Sequence, residues 1–122
     1  MKVLFVCTGN ICRSPMAEVI FQNICEKHGR KDIVVKSAGT HAINGTPMSE
    51  HSRLALIQCG EKLPRSKFKS THLTDEMLKK FDLVVDVRYV PDPWMRGMER
   101  YVEACKQLQT DLQTLYNEKC KI

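Results

Sequence analysis

The sequence predicts an α/β protein: a single three-layer domain in which a small parallel sheet of three to four strands is flanked by helices. Three short segments rich in β-branched and aromatic residues, at 2–6, 33–36 and 81–87, alternate with stretches whose apolar residues recur at helical spacing. Strands that alternate with helices imply parallel pairing through right-handed crossovers. With 122 residues, the chain is expected to form one domain over residues 1–122.

The first strand is predicted at residues 2–6, where aliphatic and aromatic side chains follow one another without a polar break. The pair Ser14-Pro15 is a helix-start signal, with a hydroxyl that can cap the helix and a proline at its first position. Apolar residues then recur at helical spacing until Gly29 ends the run. A short polar stretch therefore joins a buried strand directly to the N-terminus of a helix.

The middle of the chain predicts a second strand and a second helix. Residues 33–36 read as the strand, which ends at Ser37-Ala38-Gly39. Residues 49–58 read as the helix, which Gly60 closes. Residues 63–71 form a basic connection with little pattern, and we expect a loop there.

The last third of the chain predicts the third strand between two helices. Thr74 is followed by acidic residues that suit the first turn of a short helix, and residues 81–87 form the strand. Pro91-Asp92-Pro93-Trp94 is a turn, and residues 98–116 have the pattern of a long amphipathic helix. The sequence contains no internal repeat.

The formal net charge of +5 comes from 19 basic and 14 acidic residues and favours anionic ligands. The basic residues are scattered, and their densest run, at 65–69, is interpreted as a solvated loop rather than a nucleic-acid surface. No zinc-finger, helix-turn-helix or RNP pattern is present, so no nucleic-acid partner is expected. No stretch is apolar enough to cross a bilayer or act as a signal peptide, which predicts a cytoplasmic protein without a membrane partner.

Six cysteines, at positions 7, 12, 25, 59, 105 and 120, form neither a regular disulfide framework nor a CxxC pair. Neither a zinc site nor any other metal site is therefore expected. Cys25, Cys59 and Cys105 lie in helical stretches, where a free cysteine is commonly a small buried apolar residue. Cys7 and Cys12 remain as candidates for chemistry.

Cys7 follows the first strand and precedes Arg13 by five intervening residues, a C-x5-R spacing. Ligands of open parallel sheets bind at the carboxyl ends of the strands. Backbone N–H groups between such a strand and a helix N-terminus can form a nest for an anion, and the same field favours a thiolate over a thiol. Arg13 suits a tetrahedral phosphate because its planar fork can bind two oxygens at once. The pattern predicts a phosphate site with a cysteine nucleophile.

With these residues in place, the chain resembles the low-molecular-weight protein tyrosine phosphatase family. The resemblance rests on "VCTGNICRSPMAE" at 6–18, "SAGT" at 37–40, "LTDEMLKKFDLVV" at 73–85 and "PDPW" at 91–94. It implies hydrolysis of phosphotyrosine through a phosphocysteine intermediate, with no cofactor, on a phosphotyrosine protein or an aryl phosphate substrate. Under it, Cys7 is the nucleophile, Arg13 stabilises the transition state and Asp92 is the general acid.

The same resemblance assigns the loop between Cys7 and Arg13 to substrate binding. Asn10 would hold the strained shape of the loop, Ser14 would donate a hydrogen bond to the thiolate, and Cys12 would capture an oxidised Cys7 as a disulfide. Ile11 would wall the pocket with apolar surface, and Trp94 would pack against the phosphotyrosyl ring. The complete predicted substrate-binding set is Thr8, Gly9, Asn10, Ile11, Cys12, Ser14 and Trp94.

The chain is roughly thirty residues shorter than usual members of this family, and the difference follows the third strand. Here "FDLVVDVRYVPDPW" runs almost directly from that strand to Asp92, so a fourth strand is expected to be missing. Two consequences follow: Asp92 reaches the phosphate by a shorter path or fails to reach it, and the third strand becomes an exposed edge. A homodimer would cover that edge.

Three alternatives remain open. A thioredoxin-coupled arsenate reductase shares this loop, but it needs further cysteines after the third strand, where "DVRYVPDP" has none. A phosphate-binding regulatory module with impaired turnover would account for the shortened route to Asp92. A protein arginine phosphatase of the same fold tends to carry threonine where this chain has Ile11, so Ile11 favours aryl phosphates.

Overall fold

Three strands and four helices succeed one another in the computed structural model, which describes residues 1–120. The strands are β1 (Lys2–Cys7), β2 (Val34–Gly39) and β3 (Leu83–Asp86). The helices are α1 (Arg13–Lys27), α2 (Glu50–Gln58), α3 (Asp75–Lys80) and α4 (Met98–Lys119). Every element that the sequence predicts is present, with bounds that differ by a few residues.

The sheet has the strand order β2-β1-β3, and both pairs of strands are parallel. Val3 lies beside Val35 on one side and Leu83 on the other, and Cys7 lies beside Gly39. Because β1 is the central strand, all its residues from Val3 to Cys7 are buried. The parallel α/β class is confirmed, and the sheet has three strands, the lower of the two predicted numbers.

The two faces of the sheet are covered unequally. On one face α1 packs over β1 and β2, and α2 and α4 pack on α1; together they bury a large cluster, which includes Phe5, Phe21 and Leu108. On the other face Leu4, Val6 and Ala38 form a small cluster beneath partly buried side chains in and beside α3. The three-layer arrangement is thus confirmed, with α3 and its flanking residues as the thin layer.

Two local details differ from the sequence prediction. Ser14 does not cap α1: the helix begins at Arg13, its N-cap residue is Cys12, and no side chain caps it. The hydroxyl of Ser14 bonds to Cys7 and Asn10 instead, as described below. The third strand covers Leu83–Asp86 rather than residues 81–87.

β3 is an edge strand, and its outer side carries no further strand of residues 1–120. Leu83 and Val85 are half-buried, and Val84 is 38% exposed. The exposed edge that the shortened sequence predicts is therefore present. Within the described part of the chain, no helix is long and apolar enough to cross a membrane.

Candidate active site

The candidate site lies at the carboxyl ends of the strands, in the loop that joins β1 to α1. Cys7 is the last residue of β1, and Arg13 is the first residue of α1. None of the backbone N–H groups of residues 8–14 donates a hydrogen bond to a residue within 1–120. A run of free backbone donors beside a helix N-terminus is an arrangement that binds anions.

Cys7 is buried, with 2% of its surface exposed, and its Sγ lies 2.9 Å from Ser14 Oγ. Asn10 Nδ2 donates to the same Ser14 Oγ at 2.7 Å. A hydroxyl has one proton, and here its oxygen already accepts from Asn10, so that proton is free to point at the sulfur. The sequence placed Cys7 and Ser14 in one site, and the structure brings their side chains into contact.

Asn10 ties the loop to two other parts of the chain. It is fully buried and has a φ of 55°, in the left-handed region that residues other than glycine seldom adopt. Besides bonding Ser14, Nδ2 donates to Ser37 Oγ at 3.0 Å, and Oδ1 accepts from the backbone N–H of Thr71 at 2.8 Å. These bonds offset the cost of the left-handed conformation and fix the curvature of the loop.

The end of β2 supports the loop from behind. The N–H groups of Thr40 and His41 donate to the carbonyls of Cys7 and Thr8, both at 2.9 Å, and so continue the pairing of β1 and β2. Gly39 leaves no room for a side chain, because a Cβ there would lie 2.6 Å from the carbonyl oxygen of Thr8 and 2.9 Å from Asn10 Cβ. Position 39 therefore requires glycine, because the loop after β1 lies too close to it for any side chain.

Arg13 is held by the segment that follows β3. Its side chain is buried, and Nη1 donates to the carbonyls of Arg88 at 3.1 Å and Val90 at 3.0 Å. The other side of the guanidinium faces Asp92, whose Oδ2 lies 3.8 Å from Arg13 Nη2. One edge of the guanidinium is therefore anchored to the backbone, which leaves Nη2 and Nε to bind an anion.

Asp92 lies at the mouth of the site, with 57% of its side chain exposed. Its Oδ1 accepts from the backbone N–H of Trp94 at 3.1 Å, and Pro93 between them is buried. Although only residues 87–91 separate β3 from Asp92, the carboxyl group lies beside Arg13. The short segment after β3 therefore still brings the Asp92 carboxyl group within 3.8 Å of the Arg13 guanidinium.

Trp94 is half exposed and follows Asp92 by two residues. Together with Asp92 it lines a pocket of about 460 Å³, whose other wall is α4 with Arg100. None of residues 7–14 lines this pocket. Trp94 therefore shares a pocket with Asp92 but not with the loop from Cys7 to Ser14, and its predicted packing against a phosphotyrosyl ring stays a prediction.

Cys12 and Ile11 both contact Ser49, the residue before α2. Cys12 is buried, and its Sγ lies 3.4 Å from Ser49 Oγ and 3.5 Å from the hydroxyl of Tyr101. Ile11 is half-buried against the large core cluster, and its carbonyl accepts from Ser49 N–H at 2.8 Å. Both Cys7 and Cys12 are free thiols, so a disulfide between them stays a prediction. Of the remaining residues of the predicted set, Thr8 is exposed and Gly9 is half-buried.

The electrostatics of the site involve a second arginine. Arg88 bonds both carboxylate oxygens of Asp86 at the end of β3, with distances of 2.7 to 3.1 Å. These bonds to Arg88 lower the pKa of Asp86, and Arg13 lowers it further. The pKa of Arg88 is raised mainly by Asp86, with a smaller contribution from Cys7. No cluster of three metal-ligating side chains occurs within residues 1–120.

The sequence did not assign several residues that shape the site: Ser37, Gly39, Thr71, Arg88 and Tyr101. A signal was available for three of them, because Ser37, Gly39 and Arg88 lie at or just beyond the carboxyl ends of strands, where such sheets bind ligands. Thr71 and Tyr101 reach the loop from the connection before α3 and from α4. No local pattern in the sequence links those positions to the loop.

Comparison with solved structures supports the same architecture. A YwlE mutant from Bacillus subtilis superimposes with a TM-score of 0.86 at 28% identity and covers 99% of both chains. A low molecular weight protein tyrosine phosphatase from T. tengcongensis superimposes with a TM-score of 0.87 at 30% identity, covering 97% of this chain and 99% of that one.

Curated relatives include two kinds of phosphatase. A protein-arginine-phosphatase of Bacillus subtilis (strain 168) is 41% identical over 85 residues, which cover 70% of this chain and 54% of the relative. Low molecular weight phosphotyrosine protein phosphatase 1 of Drosophila melanogaster is 38% identical over 79 residues, which cover 65% of this chain and 47% of the relative. The chain spans about half the length of the curated relatives it matches.

The family model described as low molecular weight phosphotyrosine protein phosphatase matches residues 2–89. This range contains the whole sheet, the loop from Cys7 to Arg13 and the helices α1, α2 and α3. It ends three residues before Asp92, so the general acid that the sequence predicts is outside the match. The chain belongs to the low molecular weight phosphotyrosine protein phosphatase family.

Proposed function

We propose that this protein is a cysteine-dependent phosphatase that hydrolyses phosphotyrosine through a phosphocysteine intermediate. The observation that carries the proposal is the contact of Cys7 with Ser14 in a loop of free backbone donors, flanked by the paired Arg13 and Asp92. Nucleophile, anion-binding groups and acid are then together in one site. Membership of the family supports the same reaction.

In the first step, the thiolate of Cys7 attacks phosphorus in line with the scissile bond. A sulfur–phosphorus bond forms, the bond from phosphorus to the phenolic oxygen breaks, and Asp92 gives its proton to that oxygen. Free N–H groups of residues 8–14 and the guanidinium of Arg13 stabilise the charge on the three other phosphate oxygens. Ser14 donates to the sulfur and so favours its anionic form.

In the second step, water replaces the sulfur. Asp92, now ionised, takes a proton from the water as its oxygen attacks phosphorus, and the sulfur–phosphorus bond breaks to return the thiolate and inorganic phosphate. The exposed position of the Asp92 carboxyl is suitable for both roles, because water can reach it. Neither step needs a metal or an organic cofactor.

Turnover of p-nitrophenyl phosphate between pH 4 and pH 9 tests this assignment. We expect wild type to turn over and Cys7→Ser to be inactive. Asp92→Ala should lose roughly 100-fold in kcat on a phosphotyrosyl peptide, whose leaving group needs a proton, and less on p-nitrophenyl phosphate. A phosphate-binding module would instead bind vanadate without turnover, and a burst without steady turnover would mark a stalled phosphocysteine.

A second candidate substrate is phosphoarginine, which the similarity to the protein-arginine-phosphatase of Bacillus subtilis supports. Ile11 favours the aryl substrate, because its branched apolar side chain can pack against a phenyl ring and offers no hydroxyl to a guanidinium. We therefore expect a phosphotyrosyl peptide to be hydrolysed faster than a phosphoarginyl peptide of the same sequence. Ile11→Thr should lower the ratio of kcat/KM for the phosphotyrosyl peptide to kcat/KM for the phosphoarginyl peptide. If wild type hydrolyses the phosphoarginyl peptide faster, phosphotyrosine is rejected as the substrate.

The cellular setting proposed here follows from the chemistry of the thiol. A thiolate nucleophile needs a compartment that keeps thiols reduced, and all six cysteines are free. This supports action in the cytoplasm on phosphoproteins, with small aryl phosphates as further substrates. A second copy of the chain that covers the outer edge of β3 stays a prediction.

A further inference from the structure

The outer edge of β2 carries backbone groups that no described residue satisfies. The N–H of Val34 donates to the carbonyl of Met1, the residue before β1. The backbone N–H and C=O of the even-numbered residues of β2 therefore point toward β1, and those of the odd-numbered residues point away from it. Gly39 uses its outward groups, donating to Thr71 and accepting from Leu73. For Val35 and Ser37, by contrast, no backbone hydrogen bond on this side is made within residues 1–120.

A groove runs along this open edge. Its walls are β2, the outer side of α1 and residues 62–69, which we call the basic segment, and its volume is about 820 Å³. The basic segment contains no helix or strand and does not pair with β2. Pockets that hold ligands measure about 300–1,000 Å³, and the space beside Val35 and Ser37 is of that size.

The groove is predominantly basic. Lys36, Lys62, Arg65, Lys67 and Lys69 line it, whereas its acidic lining residues are Glu18 and Glu26. None of the five basic side chains forms a salt bridge with a described residue. Glu18 already accepts a hydrogen bond from Ser37 Oγ at 2.7 Å. An excess of positive charge beside an open strand edge favours an anionic ligand with a peptide backbone.

We propose that the open edge of β2 and the basic segment form a docking site for an extended acidic segment of a partner polypeptide. The segment adds to the sheet as a strand beside β2 and hydrogen-bonds the backbone groups of Val35 and Ser37. Its acidic side chains meet the lysines and arginine of the basic segment, and its apolar side chains meet the half-buried Phe68. The net charge of +5 disfavours a second copy of this chain as the occupant.

The docking site is independent of turnover, so its test needs no phosphorylated substrate. A fluorescein-labelled ten-residue peptide of alternating glutamate and valine is titrated with protein, and fluorescence anisotropy reports binding. We expect saturable binding, which Lys67→Glu combined with Lys69→Glu weakens by roughly tenfold. Lys79→Glu with Lys80→Glu, the same charge change on exposed residues of α3, should leave the affinity within about twofold of wild type.

Amide hydrogen exchange by NMR distinguishes strand addition from attraction by charge alone. Addition of the peptide should slow hydrogen exchange at the backbone amides of Val35 and Ser37. A peptide N-methylated at alternate residues should not bind the protein and should leave exchange at these two amides unchanged. Binding without that protection would overturn the proposal, as would no binding at all. Tighter binding of a ten-nucleotide single-stranded RNA than of the peptide would also overturn it and make the groove a nucleic-acid surface. Turnover of p-nitrophenyl phosphate should be unchanged in the basic-segment variant.

Discussion

Gly39 shows at the residue scale how closely β2 approaches the loop between Cys7 and Arg13. A Cβ on residue 39 would lie 2.6 Å from the carbonyl oxygen of Thr8 and 2.9 Å from the Cβ atoms of Asn10 and Ala42. None of these three atoms can move by a side-chain rotation. Any substitution must therefore displace the backbone that supports the loop.

We predict that Gly39→Ala lowers both stability and activity. Relief of the overlap should cost about 1–3 kcal/mol in the free energy of unfolding, measured by urea denaturation. The displaced loop should reduce kcat for p-nitrophenyl phosphate more than tenfold. Gly60→Ala is the matched control, because residue 60 has a φ of 85° but nothing within 4 Å of the added Cβ. It should cost about 1 kcal/mol and leave kcat unchanged; equal kcat losses in the two variants would contradict the steric argument.

The hydroxyl of Tyr101 supports the loop from the opposite side. It lies 3.5 Å from Cys12 Sγ, while its ring stacks on His51 at 5.1 Å. Burial and the nearby Cys12 raise the pKa of Tyr101, so the hydroxyl stays protonated as a donor. Tyr101→Phe retains the stacking and should lose about 1 kcal/mol of unfolding free energy with little change in kcat. A tenfold loss in kcat would show that the hydroxyl acts on the reacting groups and is not merely a support.

At the scale of elements, the sequence predicted what depends on local pattern. The alternation of strands and helices is encoded within each segment, and the C-x5-R spacing lies between one strand and one helix. The predicted cap by Ser14 is wrong, because a Ser-Pro pair is a helix-cap signal in isolation, whereas the folded loop directs the hydroxyl to Cys7, as the family resemblance implied. The contacts of Thr71 and Tyr101 with the loop join residues 61 and 89 positions apart, a separation that no local pattern reveals.

β3 provides the prediction that belongs to this scale. Its four residues form an open edge with Val84 38% exposed, and the homodimer predicted from the sequence would pair two such edges. Sedimentation velocity over a range of concentrations tests it, with Val84→Lys as the variant that places a charge on the edge. A dimer that Val84→Lys abolishes would confirm pairing through β3. A monomer at every concentration would contradict it.

At the scale of the whole molecule, the beginning and the end of the described chain meet at one ion pair. Arg30 and Asp32, in the turn between α1 and β2, bond to each other at 2.9 Å through two nitrogen–oxygen pairs. Arg30 also donates to the carbonyl of Cys120 after α4, and the N-terminal amine of Met1 donates to the carbonyl of Asp32 at 3.1 Å. One turn thus fixes the start of β1 and the end of α4.

This arrangement predicts how stability changes in acid. Hydrogen bonds from Arg30 lower the pKa of Asp32 from 3.8 to about 2. A carboxyl group whose pKa is lower in the folded state binds its proton more readily when the chain is unfolded. Its contribution is therefore complete above about pH 4 and is lost as the pH falls toward 2. Asp86 and Glu50, with pKa values lowered by Arg88 and Arg53, act in the same direction.

Glu18 acts in the opposite direction, because burial raises its pKa and protonation therefore favours the folded state. Three carboxyl groups with lowered pKa values outnumber this one group with a raised pKa. We therefore expect the Tm, followed by circular dichroism, to fall between pH 4 and pH 2. Asp32→Asn should lower the Tm at pH 7 and reduce the further fall in acid, since the titrating group is gone. Glu118→Gln removes an exposed carboxylate from α4 that forms no salt bridge with a described residue, and it should follow the wild-type curve. If Asp32→Asn also follows that curve, the ion pair does not contribute to the acid sensitivity of the fold.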